Sequence, residues 1–203
     1  MKWFKKKSPL YYSDSSIAPI ENHRQREKGV LVYPVYSRRS GGLSVGINLF
    51  PDQKSCPFDC PYCEVFPFFT KAVFSIKQLE DDLRSVIADA EERNIQVKDI
   101  CFSGNGEPSL SPDFPSALEL AGRIRGELTP SAKLVLITNG AGLLDQKIFS
   151  LLVESAASKE GEDNPALDIW LKLDAGTPGW YQLINRTEIP HKIPLFFSQK
   201  DVK

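Results

Sequence analysis

Two hydrophobic periods alternate along this chain and exchange at regular intervals. Residues 43–50 (LSVGINLF) are β-branched and apolar, the pattern of a buried strand. Ser75 then opens a helix, with Gln78 three positions later in a capping-box arrangement. Ile76, Leu79, Leu83, Val86, Ile87 and Ala90 follow at helical spacing. Residues 97–103 (VKDICFS) predict a second strand. A second helix is expected over Phe114–Leu128, with Pro115 at its start and Pro130 beyond its end. Lys133–Thr138 (KLVLIT) reads as a third buried strand, stopped by Asn139-Gly140. Residues 144–158 are again apolar at helical spacing, and the polar run 159–165 (KEGEDNP) predicts an exposed loop. Residues 166–173 (ALDIWLKL) make the fourth strand, and 178–186 a short helix.

Strands separated by helices of this length predict right-handed βαβ units and a parallel sheet, hence an α/β fold. The unusual residues fall in a consistent place. The cysteine-bearing loop, Gly104 to Pro108, Thr138 to Gly140 and Asp174 to Gly176 each come immediately after an expected strand. Loops at the C-terminal ends of parallel strands share one edge of the sheet. Four polar, glycine-containing loops are therefore expected to meet there.

Composition narrows the class. The 203 residues carry 41% apolar and 25% charged side chains, as one globular domain does. No apolar run reaches the roughly 20 residues that cross a bilayer, and the opening Met1-Lys-Trp-Phe-Lys-Lys-Lys7 lacks a secretory apolar stretch. A cytoplasmic protein without membrane contact is the expectation. Net charge is −1, yet residues 1–40 hold nine Lys/Arg against three Asp/Glu. This irregular, basic segment reads chiefly as a solvated terminus, with RNA or another acidic partner as the sharper alternative.

Three of the four cysteines lie within eight residues, Cys56-Pro-Phe-Asp-Cys60-Pro-Tyr-Cys63. Clustered thiols in a cytosolic chain point to a metal centre rather than a disulfide framework. Thiolates are the usual ligands of a [4Fe–4S] cluster, and three of them leave one iron open to a small molecule. Pro57 and Pro61 stiffen the loop. Phe58, Tyr62, Phe66, Phe68 and Phe69 are candidates for limiting water access. Structural zinc, the competing reading, needs a fourth Cys or His ligand. The two histidines, His23 and His191, are both remote in sequence. Cys101, inside an apolar run, reads as a small core residue.

The C-x3-C-x2-C spacing, with an aromatic residue before its last cysteine, resembles the signature of the radical S-adenosylmethionine (SAM) superfamily. That resemblance implies a cluster held by Cys56, Cys60 and Cys63 whose open iron binds the amino and carboxylate groups of SAM. One electron would cleave the sulfonium to methionine and a 5′-deoxyadenosyl radical, which abstracts hydrogen from substrate; a flavodoxin- or ferredoxin-type protein would supply the electron. Ser103-Gly-Asn-Gly-Glu-Pro108, 41 residues from Cys63 to Gly104, resembles the family's GGEP motif with Asn105 in place of its second glycine. The resemblance assigns Gly104, Asn105, Gly106, Glu107 and Pro108 to the SAM amino group, with Tyr62 also at the cofactor. Asn139, in a turn similar to one in relatives, is either a ligand contact or a good turn residue. Asp174, ahead of Lys172, resembles the family's ribose and carboxylate contact; the alternative is that the two pair with each other. No catalytic side chain is assigned.

From Tyr33, through Pro34-Val-Tyr-Ser-Arg-Arg39, to Arg186 the chain is similar to the subgroup of wyosine tRNA-modifying synthases and related iron–sulfur oxidoreductases. Arg38 and Arg39 read as contacts to an anionic group or as a structural ion pair. Residues 1–55 lack the cysteines of the synthases' second cluster, which disfavours wyosine synthesis. Family cores have six strand–helix units, and about four are expected here. The resemblance thus implies a partial parallel (β/α) barrel over residues 33–193, after an irregular basic segment 1–32 and before a tail 194–203. A SAM-dependent radical enzyme of unknown substrate is the leading expectation, and a truncated, non-catalytic iron–sulfur or zinc protein the alternative.

Overall fold

The computed structural model describes residues 29–157 and 167–187. The earlier part of the basic segment, His23, His191, the run 159–165 and the tail lie outside these described residues. The elements are β1 (Val32–Ser37), β2 (Gly42–Ile47), α1 (Ile76–Glu92), β3 (Val97–Phe102), α2 (Phe114–Leu128), β4 (Lys133–Thr138), α3 (Gln146–Ala156), β5 (Asp168–Leu171) and α4 (Pro178–Asn185). Short 3-10 turns occupy Pro108–Leu110 and Ala141–Leu144. One five-stranded sheet runs in the order β1-β2-β3-β4-β5. Strands β2 to β5 are parallel, and β1 is antiparallel to β2. The α/β class and the parallel pairing are as expected from the alternation of periods.

Strand β1 has no counterpart among the expected elements. Pro34 sits in its middle, and proline cannot donate to a ladder. The strand tolerates it because β1 is an edge, pairing only with β2. At the other elements the differences are at the ends. The capping box of α1 is half realised: Ser75 Oγ accepts from Gln78 N at 3.4 Å, but the Gln78 amide turns forward to Asp82 at 2.6 Å. An acidic neighbour one helical turn on outcompetes the backbone.

One face of the sheet carries Leu43, Val45, Ile47, Ile100, Phe102, Leu134 and Leu136, all within the core. Leu79, Leu83, Val86, Ile87 and Ala90 of α1 and Phe114, Ala117, Ala121 and Ile124 of α2 cover it. Burial of this stripe is what the helical spacing requires.

The opposite face is more polar. Successive strand residues alternate sides, so Tyr33, Ser44, Gly46, Asp99, Cys101 and Trp170 share it. Ser44 donates to the buried Asp99 carboxylate. Tyr33 reaches across Gly46 to bond Ser103 Oγ at 2.7 Å; a Cβ on Gly46 would stand 2.3 Å from its ring. Arg39, in the β1–β2 turn, lies 4.7 Å over the Trp170 ring of β5. Four inter-strand gaps would hold the two edges of a flat sheet about 19 Å apart. Arg39 therefore reaches across this polar face, from the β1–β2 turn to the far edge strand. Among the described residues, Arg39 meets an aromatic ring rather than an acid. Among the described residues, no helix is long and apolar enough to cross a membrane.

Candidate functional site

Parallel strands deliver four loops to one edge, and hydrogen bonds tie them to each other. Leaving β2, the chain meets the loop after β3: Ser55 N donates to Asn105 O at 3.0 Å, and Glu107 N returns to Ser55 O at 2.9 Å. Gly106 makes this approach possible, since a Cβ there would fall 2.0 Å from the Ser55 carbonyl oxygen. Asn105 is buried; its amide donates to Phe50 O at 3.2 Å and its N–H to Asn48 Oδ1 at 3.2 Å. Gly104 is pressed against that same Asn48 side chain.

Glu107 is buried, and its carboxylate accepts four bonds. Oε1 takes Ser109 N at 3.2 Å, Ser109 Oγ at 2.5 Å and Thr138 Oγ1 at 2.6 Å; Oε2 takes Asn139 N at 2.7 Å. It caps the turn that begins at Pro108 and couples the loop after β3 to the loop after β4. Asn139 is a turn residue whose side chain also reaches the cysteine loop. Its Oδ1 accepts from Ala141 N at 2.9 Å, and its Nδ2 donates to Cys56 Sγ at 3.4 Å.

The fourth loop supplies a cation. Lys172 Nζ lies 3.3 Å from Cys60 Sγ and 2.8 Å from Asp174 Oδ2. It also stands 4.8 Å over the Tyr62 ring, and Tyr62 donates to Asp174 Oδ2 at 2.6 Å. Lys172 and Asp174 do pair, with the thiol of Cys60 as a third member. Burial pulls the Lys172 pKa down, but Asp174, Tyr62 and the Cys60 sulfur outweigh it and the net shift is upward. Tyr62 is raised first by burial and then by its bond to Asp174. Burial also pushes the Cys56 thiol up, with the charges of Glu107 and Cys60 adding to it.

Around the thiols the shell is apolar: Cys60, Phe58 and Tyr181 form one cluster, with Cys56, Cys63 and Ala175 against it. Phe58 and Tyr181 meet edge to face at 5.9 Å. Of the aromatic residues in the cysteine loop, Phe58 is the buried one; Tyr62, Phe66 and Phe69 are exposed. Among the described residues, no three or more Cys, His, Asp or Glu side chains are grouped so that they could hold a metal ion.

The chain is similar to proteins designated UPF0026. One from Helicobacter pylori is 31% identical over 124 residues, 60% of this chain and 38% of the relative. One from Synechocystis is 31% identical over 160 residues, 75% of this chain and 51% of the relative. The GTPase Obg of Brachyspira hyodysenteriae is 30% identical over 121 residues, 59% of this chain but 17% of the relative. The chain thus spans about half the length, or less, of the curated relatives it matches. No protein-family profile matches the chain, and no solved structure matches it.

Three residues of this edge carried no signal in the sequence. Asn185 O accepts from Asp59 N at 3.0 Å, the Asn185 side chain lies 3.5 Å from Cys60 Sγ, and Thr187 Oγ1 donates to Pro57 O at 3.1 Å. Arg186 between them stands 3.9 Å from Asp59. A short polar run closing a helix looks like any other helix end; only the fold brings it more than 120 residues back to the cysteines.

Proposed function

We propose that this chain is a radical SAM protein, with Cys56, Cys60 and Cys63 as ligands of a [4Fe–4S] cluster and a sheet that is part of a (β/α) barrel of that type. One observation carries the reading: donors from two other strand-end loops, Asn139 Nδ2 and Lys172 Nζ, stand at 3.4 and 3.3 Å from the sulfurs of Cys56 and Cys60. Positive and N–H groups aimed at sulfur stabilise thiolate ligands and the charge of a cluster. Buried Phe58 and Tyr181 back the same sulfurs with apolar surface that holds water away.

The bound pair would supply reductive cleavage of the sulfonium and a carbon radical able to take hydrogen from substrate. The chain's own residues bind and orient. In this reading the backbone of residues 104–108, half-buried at Gly104 and Gly106, receives the SAM amino group. The Glu107 carboxylate holds that backbone against Thr138 and Asn139 rather than reaching for ligand itself. Asp174, held by Tyr62 and Lys172, faces the ribose, and Lys172 balances negative charge beside Cys60. The electron would come from a flavodoxin- or ferredoxin-type partner.

Anaerobic reconstitution with iron and sulfide, reduction, and addition of SAM test the proposal, with release of 5′-deoxyadenosine expected. A cluster without SAM cleavage would support the non-catalytic iron–sulfur alternative. Protein that takes up stoichiometric zinc and no iron would overturn the reading. Cys60→Ala is expected to lose the cluster, and full iron retention would refute the ligand assignment.

A further inference from the structure

Asn185 closes α4 and is completely buried. Its Oδ1 lies 3.5 Å from Cys60 Sγ and 3.5 Å from Tyr62 Oη, and among the described residues its Nδ2 has no hydrogen-bond partner. A buried amide donor left unmatched is uncommon and calls for a partner. The next residue, Arg186, adopts φ 46° and ψ 48°, the left-handed region that is unfavourable for a side chain of its size. That turn ends the helix at Asn185 and returns Thr187 to the Pro57 carbonyl. One short corner therefore touches Pro57, Asp59 and Cys60.

The orientation of the amide suits a thiol, in which Cys60 donates to Oδ1. A cysteine bound to iron is a thiolate without a proton to give, and Oδ1 would then face a negative sulfur. The two ends of an asparagine amide have nearly the same shape and exchange by rotation. Rotated, Nδ2 donates to the sulfur, and the unmatched donor finds its acceptor.

We infer that Asn185 is a positioning residue for the cluster, its amide donating to the Cys60 thiolate and raising the cluster's reduction potential. The inference rests on the iron–sulfur reading above. An N–H bond to a cluster sulfur favours the reduced, more negative state. Lys172 meets the same sulfur from the opposite loop, so Cys60 is the most heavily supported of the three ligands.

The test compares wild type, Asn185→Leu, Asn185→Asp and Thr187→Val after anaerobic reconstitution with iron and sulfide. Iron and sulfide content and the midpoint potential, titrated with dithionite and followed by electron paramagnetic resonance, are the readouts. Asn185→Leu and Asn185→Asp are expected to move the potential to more negative values, the aspartate further because it adds charge. Thr187→Val loosens the same corner without touching sulfur and is expected to keep the wild-type potential. An unchanged potential in both Asn185 variants overturns the inference while leaving the cluster intact, as does an equal shift in Thr187→Val. If Asn185→Leu holds no iron, the same-shaped Asn185→Asp decides alone. A wild-type protein that takes up no cluster overturns the inference and the reading beneath it together.

Discussion

Glu107 fills both oxygens of its buried carboxylate with donors from two loops. Glu107→Ala would strand four donors without water to replace the lost acceptor. Leaving buried donors unpaired costs about 1–3 kcal/mol each and not additively, so a total loss of about 3–5 kcal/mol is expected. Urea unfolding checks this, and a loss under about 1 kcal/mol would show that the carboxylate does not join the loops. Glu107→Gln keeps one acceptor and is expected to fall between the two. The cysteines were legible in the sequence because their spacing is local, three thiols in eight residues. Glu107 was legible as a member of a glycine-rich loop but not as the link to Thr138, because a pairing over 31 positions leaves no periodic trace. Asn185 left none at all, since its neighbour Cys60 is 125 residues away.

At the scale of elements, periodicity revealed the helices and the parallel strands, because each buries one continuous stripe or face. It missed β1, where Pro34 interrupts an otherwise strand-like run and only the edge position explains the tolerance. At the start of α1, Ser75→Ala removes the oxygen that accepts from Gln78 N. A cost of about 1 kcal/mol is expected from lost capping, measurable as a lower urea midpoint with an unchanged slope. On β3, burial first and the Asp99 charge second push the Cys101 thiol from 9.0 up to about 12. The folded state thus holds this proton more tightly than the unfolded chain does. Its contribution is fully present below pH 9 and is lost as pH rises from 9 towards 12, by roughly a few kcal/mol at the upper end. Cys101→Ala is expected to show a shallower alkaline decline than wild type. Parallel stability–pH curves for the two proteins would contradict the assignment of that proton. Native Cys101 is also expected to resist iodoacetamide at pH 8 and to react once unfolded.

At the scale of the whole molecule, the described residues divide into a layer that folds the chain and an edge that carries the clustered thiols. The apolar core draws on the helix-covered face of the sheet and on α1, α2 and α3, and none of the three clustered cysteines belongs to it. Those thiols sit in their own small cluster with Phe58 and Tyr181, joined to the rest by loop-to-loop hydrogen bonds. Local opening follows such divisions, because elements with few buried apolar contacts come apart at less than the global free energy. Removal of bound iron from reconstituted protein should therefore loosen the edge without unfolding the sheet. The expected pattern is faster amide exchange in residues 52–70, 103–109, 138–141 and 172–187, with β3, β4, α1 and α2 unchanged. Hydrogen–deuterium exchange with mass spectrometry, before and after anaerobic chelation, resolves these segments. Exchange that rises throughout β3 and β4 would mean the metal is holding the core itself. That outcome would contradict the separation, because the burial of Val45, Ile100, Phe102, Leu136 and Phe114 involves no metal ligand.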